Sequence, residues 1–270
     1  METIEEKLPE FWALARKVAS DLRAERYASR DALIRSLSPL LVPELIERMD
    51  QTVPGWKKIA TLNDGQTALH TLVVLALCLN LPEYNLADEQ TCTELEWAAL
   101  LHDLDKERAR RDSAHPFRSA AKVAQIMPAL GFDLTTDVVE ADIVKWSELV
   151  LSAQRSDGDR MLHDHSRLPE IVSGLYTCWG RNNSAERILK AVLFHQSLPT
   201  LSDWPNAVLL NDEELSYALN LHDMKVLGPL LVADSDSWNI FSENRTAYLY
   251  ELRASNAETR QRIQKLAPTN

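Results

Sequence analysis

The sequence predicts an all-α protein, and two observations support this prediction. Apolar residues recur at helical spacing through nearly the whole chain, and alternating segments rich in Val, Ile and Thr are hard to find. The 270 residues include only seven glycines, which argues against a turn-rich β architecture. With 45% hydrophobic and 26% charged residues, the chain can bury a full core. Because no internal repeat or linker is evident, we expect one helical domain over residues 1–270.

The first half of the chain predicts an N-terminal cover followed by a buried helix. Amphipathic helices are expected over about residues 4–27 and 31–49, the second broken by prolines. Asp64-Gly65 can cap the next helix, and the stretch from Ala68 to Leu81 is apolar on almost every face. Such a pattern is typical of a helix in the middle of a bundle. His70, on this helix, is therefore expected near the buried layer.

A capping-box pattern precedes the most informative segment of the chain. Thr93-Glu94-Leu95-Glu96 has the spacing of such a box, so the next helix is expected to begin there. It would carry the dipeptide His102-Asp103 in its last turn, where the helix opens into a loop.

The second half of the chain is also predicted to be helical, with one polar loop. Residues 156–167 are the best loop candidate, and the run His163-Asp164-His165 within them is interpreted as solvated polar surface. A long helical pattern from Asn211 is expected to be interrupted at Gly228-Pro229. The other expected helices span residues 116–127, 137–154, 168–179, 184–197 and 243–266, the last a charged terminal helix.

Charge and cysteine content limit the kinds of partner. The net charge of −11 argues against binding of extended nucleic acid, which depends on clustered Lys and Arg, but leaves a single nucleotide or a small phosphoester open. Cys78, Cys92 and Cys178 are odd in number and widely spaced, which fits a reducing cytoplasm. The acidic start is unlike a signal peptide, and no apolar run approaches the ~18 residues needed to span a bilayer. We therefore expect a cytoplasmic protein without a membrane partner.

The cluster around His102-Asp103 indicates metal chemistry. Asp105 and Lys106 follow the pair closely, and His70, His115, His195 and Asp234 lie on or beside predicted helices. Imidazole and carboxylate ligands together suit Mn, Fe, Co, Ni or Zn, whereas Mg and Ca prefer an all-oxygen shell. An Asp beside a His can also place its two oxygens on two ions. The sequence therefore predicts one or two divalent transition metal ions.

The order of these residues resembles the HD superfamily of metal-dependent phosphohydrolases, over roughly residues 55 to 245. The resemblance implies an HD-type helical bundle with flanking N-terminal and C-terminal helices. It also implies hydrolysis of a small phosphomonoester or nucleotide by a metal-bound hydroxide, with Asp103 and Lys106 as the catalytic residues. By the same resemblance, Lys106 and Arg118 would contact substrate phosphate. The implied metal ligands are His70, His102, Asp103 and Asp234, with His115 and His195 as the extra ligands that recruit a second metal in some members.

Two positions depart from the pattern of the family and leave other functions open. Asp105 replaces a small residue, usually Gly, and is either a further group near the metal or a solvated charge. Trp146 lies on the helix where several members place a further His, so either a ligand is missing there or His195 is the true match. Two alternatives follow: a degenerate HD domain that binds a nucleotide as a sensor, and a helical interaction scaffold whose His residues are structural.

Overall fold

The fold is all-α, as the sequence predicts, in a computed structural model that describes residues 1–107, 112–158, 160–199 and 208–267. Within these ranges a short 3-10 helix (Ser38–Leu40) and an antiparallel hairpin of β1 (Gln154–Asp157) and β2 (Arg160–His163) accompany the α-helices. The helices are α1 (Ile4–Lys7), α2 (Pro9–Arg23), α3 (Arg30–Leu37), α4 (Pro43–Thr52), α5 (Trp56–Thr61), α6 (Gln66–Cys78), α7 (Pro82–Asn85), α8 (Glu89–Leu101), α9 (His115–Ile126), α10 (Glu140–Ser152), α11 (Leu168–Trp179), α12 (Ser184–Phe194), α13 (Asp212–Ala218), α14 (Met224–Asn239) and α15 (Arg245–Leu266).

The centre of the bundle consists of α6, α8, α9, α12 and α14. Helix α8 packs against α6, α12 and α14, and α12 also packs against α9. Almost every residue of α6 is buried, as its uniformly apolar sequence predicts. The N-terminal helix α2 covers α6 on one side, and α15 packs against α13 and α14 on another. The predicted flanking helices are therefore present at both ends of the chain.

Helix α8 begins five residues before the predicted start. Asp88 is its N-cap and accepts a hydrogen bond from the Thr91 amide at 2.7 Å. The capping-box prediction was wrong because both side chains of the box bond elsewhere: Thr93 Oγ1 donates to the Glu89 carbonyl at 3.0 Å within α8, and the Glu96 carboxylate accepts from the Tyr84 hydroxyl. The position of His102 is as predicted, since it is the C-cap residue of α8.

The predicted polar loop at residues 156–167 contains the β1–β2 hairpin instead. The Ser113 amide donates to the Met161 carbonyl at 2.9 Å, and His163 Nδ1 donates to the Ser113 carbonyl at 2.7 Å. The His163 ring is fully buried and stacks on Phe117 at 4.3 Å, and this burial lowers its pKa to about 4. The prediction of solvated surface for the His163-Asp164-His165 run was therefore wrong for both histidines, since the His165 ring is also buried. The hairpin holds the segment that leads into α9.

Helix α14 continues through Gly228-Pro229, where the sequence predicts an interruption. Pro229 lacks the amide hydrogen of one helical bond, but α14 is continuous from Met224 to Asn239. Helix α15 docks on this part of α14, because Asn256 donates to the Gly228 carbonyl at 3.1 Å and Arg260 donates to the Met224 carbonyl at 3.0 Å. This docking fixes the helix that carries Asp234.

Two further expectations concern cysteines and membranes. All three cysteines lie in described residues, and none forms a disulfide. None of the helices in the described ranges combines the length and the apolar character that a membrane crossing needs.

Candidate metal centre

Six predicted metal-ligating side chains meet where the five central helices converge. His70 lies in the second turn of α6, and Asp234 lies within α14. His102 and His195 are the C-cap residues of α8 and α12, and His115 is the first residue of α9. Asp103 follows His102 directly. Every one of these side chains is at least 84% buried, since the most exposed of them, Asp234, has 16% of its surface accessible.

The first group of ligand atoms surrounds one oxygen of Asp103. His70 Nε2 lies 3.4 Å from His102 Nε2 and 3.0 Å from Asp234 Oδ1. Asp103 Oδ2 lies 3.7 Å from His70 Nε2 and 3.9 Å from His102 Nε2. These separations are those of atoms that can share one ion.

The second group surrounds the other oxygen of the same carboxylate. Asp103 Oδ1 lies 2.9 Å from His115 Nε2 and 4.0 Å from His195 Nε2, and these two nitrogens are 3.1 Å apart. The Asp103 carboxylate thus presents one oxygen to each group. Each group could hold a metal ion, and Asp103 is common to the two.

The outer nitrogen of each imidazole is already engaged, which fixes the tautomer of the ring. Nδ1 of His102 donates to the Ala99 carbonyl at 2.8 Å, Nδ1 of His195 to the Val192 carbonyl at 2.7 Å, and Nδ1 of His115 to the Asp112 carbonyl. His70 Nδ1 lies 3.1 Å from Ser237 Oγ, whose own proton goes to the Asp234 carbonyl. Since Ser237 can then only accept, His70 Nδ1 is also a donor.

Nε2 of each ring is therefore the nitrogen left to coordinate an ion, and the four Nε2 atoms face the carboxylates of Asp103 and Asp234. Nitrogen lone pairs and carboxylate oxygens repel one another at these distances unless protons or cations lie among them. Protons are disfavoured at two of the rings: burial lowers the pKa of His102, and burial together with the neighbouring histidines lowers the pKa of His195 to about 3. A buried set of acceptors with this composition could hold metal ions, and its donor atoms fit them.

Lys106 supplies the one ammonium seen beside these carboxylates within the described residues. Its Nζ lies 2.7 Å from Asp103 Oδ2. Burial opposes both charges, but each holds the other ionised: the pKa of Asp103 is well below its usual range, and the pKa of Lys106 is raised. Lys106 is therefore placed next to the predicted ligands, as the sequence predicts.

Asp105 lies outside the centre. Its carboxylate pairs with Lys58 of α5, and its backbone amide donates to Ser119 Oγ at 3.1 Å. The sequence left two interpretations open for Asp105, a further group near the metal that supports its ligands or a solvated charge, and this ion pair with Lys58 matches neither of them. The added carboxylate therefore leaves the ligand set unchanged.

Arg118 and Trp146 are both engaged in packing. The Arg118 guanidinium is almost fully buried and donates to the Asp112 carboxylate, to Gln154 Oε1 at 3.1 Å and to the Asp105 carbonyl at 3.2 Å. A phosphate contact by Arg118 would have to compete with these bonds, and it stays a prediction. Trp146 donates from Nε1 to the Ile171 carbonyl at 2.8 Å and packs on Trp179, so its partners belong to α11.

Sequence reasoning missed Ser237, which orients His70. The spacing in the sequence could have indicated this residue, because Ser237 follows Asp234 by three positions and so lies on the same side of α14. Comparison of the chain with protein-family models, with curated proteins and with solved structures finds no match. The geometry of the centre is therefore the basis for any statement about function.

Proposed function

We propose that the protein is a metal-dependent phosphohydrolase of the HD type that acts on a small phosphomonoester or a nucleotide. One observation supports this most: four imidazole Nε2 atoms with fixed tautomers point at two carboxylates, and Asp103 divides its two oxygens between them. A scaffold protein would have no need of such a buried cluster of imidazoles and carboxylates, whose polar groups cost stability when they are unpaired.

The proposed ligand sets follow from the distances. His70, His102, Asp234 and Asp103 Oδ2 would hold the first ion, and Asp103 Oδ1, His115 and His195 would hold the second. Mixed nitrogen and oxygen donors favour Mn, Fe, Co, Ni or Zn. Such ions lower the pKa of bound water and neutralise charge on phosphoryl oxygens, which are the two requirements of phosphoester hydrolysis.

Exposure within the centre indicates the side from which a substrate approaches. The side chains of Asp234 and Lys106 are 16% and 14% exposed, whereas those of His102, His115 and His195 are at most 2% exposed. The open side therefore carries the Lys106 ammonium. A cation bound at Asp103 Oδ2 weakens the attraction of that oxygen for Lys106, which leaves the ammonium available to a substrate phosphate.

Replacing either His115 or His195 by alanine should reduce metal content from about two ions per chain to about one. Each residue supplies one of three ligands to the second ion and none to the first. Elemental analysis after loading with Mn measures this change, with His222→Ala, an exposed histidine, as the control. A wild-type protein that saturates at one ion would contradict the second site.

Replacing Lys106 by alanine should lower kcat/KM about ten- to a hundredfold and leave the metal bound. Loss of one charge-assisted contact to phosphate costs about 1.5 to 3 kcal/mol. The matched control is Lys58→Ala, which removes an ammonium that pairs with Asp105 near the centre. Full activity of Lys106→Ala would refute this role without affecting the metal assignment.

The whole proposal is tested by elemental analysis combined with turnover of a broad panel of phosphoesters after loading with Mn, Fe, Co, Ni or Zn. We expect bound metal and release of inorganic phosphate. Bound metal and bound nucleotide without turnover would instead indicate the sensor. Absence of metal binding would refute the proposal and favour the scaffold.

A further inference from the structure

Arg30 and Trp238 form a contact next to the metal centre, on the side of α14 that carries Asp234. Trp238 lies one helical turn after Asp234, so both side chains are on the same face of α14. The Trp238 ring is 5.1 Å from the His70 ring, and the Arg30 guanidinium carbon lies 4.2 Å above the Trp238 ring. Two successive contacts therefore connect a proposed metal ligand to a cation on α3.

The Arg30 guanidinium is without an acidic partner among the described residues. No carboxylate of that part of the chain lies within 4 Å of it, and its one described contact is the face of Trp238. Arg30 is also half-buried, and burial lowers its pKa, although the charge of the neighbouring Asp31 opposes this shift. A partly desolvated cation that is not paired directly with a carboxylate attracts an anion more strongly than a solvated surface arginine does. Stacking on Trp238 fixes the plane of the guanidinium and leaves its N–H edge available.

A small cavity of about 30 Å³ lies between α3 and α6, beside Arg30 and His70. Its polar lining consists of Arg30, Gln66, His70 and Ser237, and the rest of its lining consists of aliphatic side chains from α3 and α6. Arg30 and a proposed metal ligand thus border the same cavity. A molecule that extends from the metal centre past Trp238 would meet Arg30 with the part remote from the reacting phosphate.

We propose that Arg30, held in place by Trp238, binds a second anionic group of the substrate. The preferred substrates are then phosphomonoesters that carry another phosphate or a carboxylate on the same molecule. Lys106 is the cation next to Asp103 and would serve the reacting phosphate, whereas Arg30 is separated from the centre by the rings of His70 and Trp238. A guanidinium suits this role because its donors match the oxygens of phosphate and carboxylate in pairs. This inference rests on the proposed function for the position of the reacting phosphate.

The test compares substrates that differ only in the second anion. Pairs are a sugar monophosphate with the bisphosphate of the same sugar, and a nucleoside monophosphate with the bisphosphate of the same nucleoside. A phosphorylated sugar acid of the same carbon skeleton distinguishes carboxylate from phosphate as the second group. For Arg30→Ala we expect KM for the doubly anionic compounds to rise about ten- to a hundredfold, with kcat and the KM of the monophosphates within about twofold of wild type.

Arg35→Ala is the matched control. Arg35 lies on the same helix, is exposed and does not line the cavity, so its replacement removes the same charge without removing the proposed contact. Arg30→Lys keeps the charge but not the planar fork, and we expect it to recover only part of the affinity. Equal KM values for Arg30→Ala and Arg35→Ala with every pair would overturn the inference. A fall in melting temperature of Arg30→Ala with unchanged KM values would do the same, because it would mean that Arg30 only fastens α3 to α14.

A binding measurement separates this inference from the proposed function. Titration calorimetry with methylenediphosphonate, which is not hydrolysed, reports the anion site in metal-loaded and in chelator-treated protein. Binding that weakens at least tenfold in Arg30→Ala and not in Arg35→Ala supports the site even if no phosphoester is turned over. Equal binding by the two variants overturns the inference even if the enzyme is active. Should Arg30→Ala fail to fold, the same comparison is made with Arg30→Lys and Arg35→Lys.

Discussion

Replacing Asp103 by alanine should remove both metal ions and reduce phosphoester hydrolysis below detection. Asp103 presents Oδ2 to the His70 and His102 side of the centre and Oδ1 to the His115 side, so neither ligand set is complete without it. No other predicted ligand belongs to both groups, and this variant is therefore expected to have the largest effect on activity. Elemental analysis and turnover of the best phosphoester measure the two losses.

The control for this experiment is Asp105→Ala. It removes a carboxylate two residues away that pairs with Lys58 and points away from the centre, so metal content and turnover should stay close to wild type. His102→Ala should likewise empty the first site. If metal content is unchanged in both Asp103→Ala and His102→Ala, the ligand assignment is wrong.

A second large effect is expected at a buried ion cluster between α12 and α14. Lys190 Nζ lies 2.6 Å from Glu186 Oε1 and 2.8 Å from Asp223 Oδ2, and each of the three side chains is 1% exposed. Burial raises the pKa of Asp223, although the Lys190 charge opposes this shift. The ammonium is thus the group that makes two buried carboxylates tolerable.

Lys190→Met should lower the free energy of unfolding by about 3 to 5 kcal/mol, since it leaves two buried carboxylates without their cation. Urea denaturation at neutral pH measures the loss, and Lys225→Met, at an exposed lysine of α14, should change stability by less than about 0.5 kcal/mol. The loss should shrink as the pH falls, because protonation then removes the uncompensated charge. A change equal to that of Lys225→Met would show that the cluster contributes nothing to stability.

Elements with a regular apolar period and clear boundary residues could be predicted from the sequence. Helix α11 matches its predicted bounds, since Pro169 lies in its first turn and Gly180, with φ of 79°, ends it. The hairpin was missed because its two strands are four residues long and lack alternation; the dipeptide Asp157-Gly158 was the available signal. The start of α8 was missed because Thr93 and Glu96, which have the spacing of a capping box, lie inside the helix and bond to Glu89 and Tyr84 instead.

The candidate ligands could be predicted from the order of residues in the sequence. Which of the nearby charged side chains lie together and which are engaged in packing could not. His70 and Asp234 are far apart in sequence, and only the packing of α6 on α14 places their ligand atoms 3.0 Å apart. Packing likewise directs the Arg118 guanidinium to Asp112 and the Asp105 carboxylate to Lys58. Charge and spacing alone could not distinguish these two residues from groups that face a substrate.

The local hydrogen bonds of the imidazoles have a consequence for how the protein reaches its native state. His102, His115 and His195 are each oriented by the carbonyl of the residue three positions earlier, so these rings are aimed by their own turns of chain. The orientation of these three imidazoles is therefore set within each helix end, and the centre forms when the helices pack together. An ion bound by His70 and His102 closes a stretch of 32 residues, and one bound by His115 and His195 closes 80 residues. Metal would thus act on this fold as a cross-link, stabilising the docking of complete helices rather than the helices themselves.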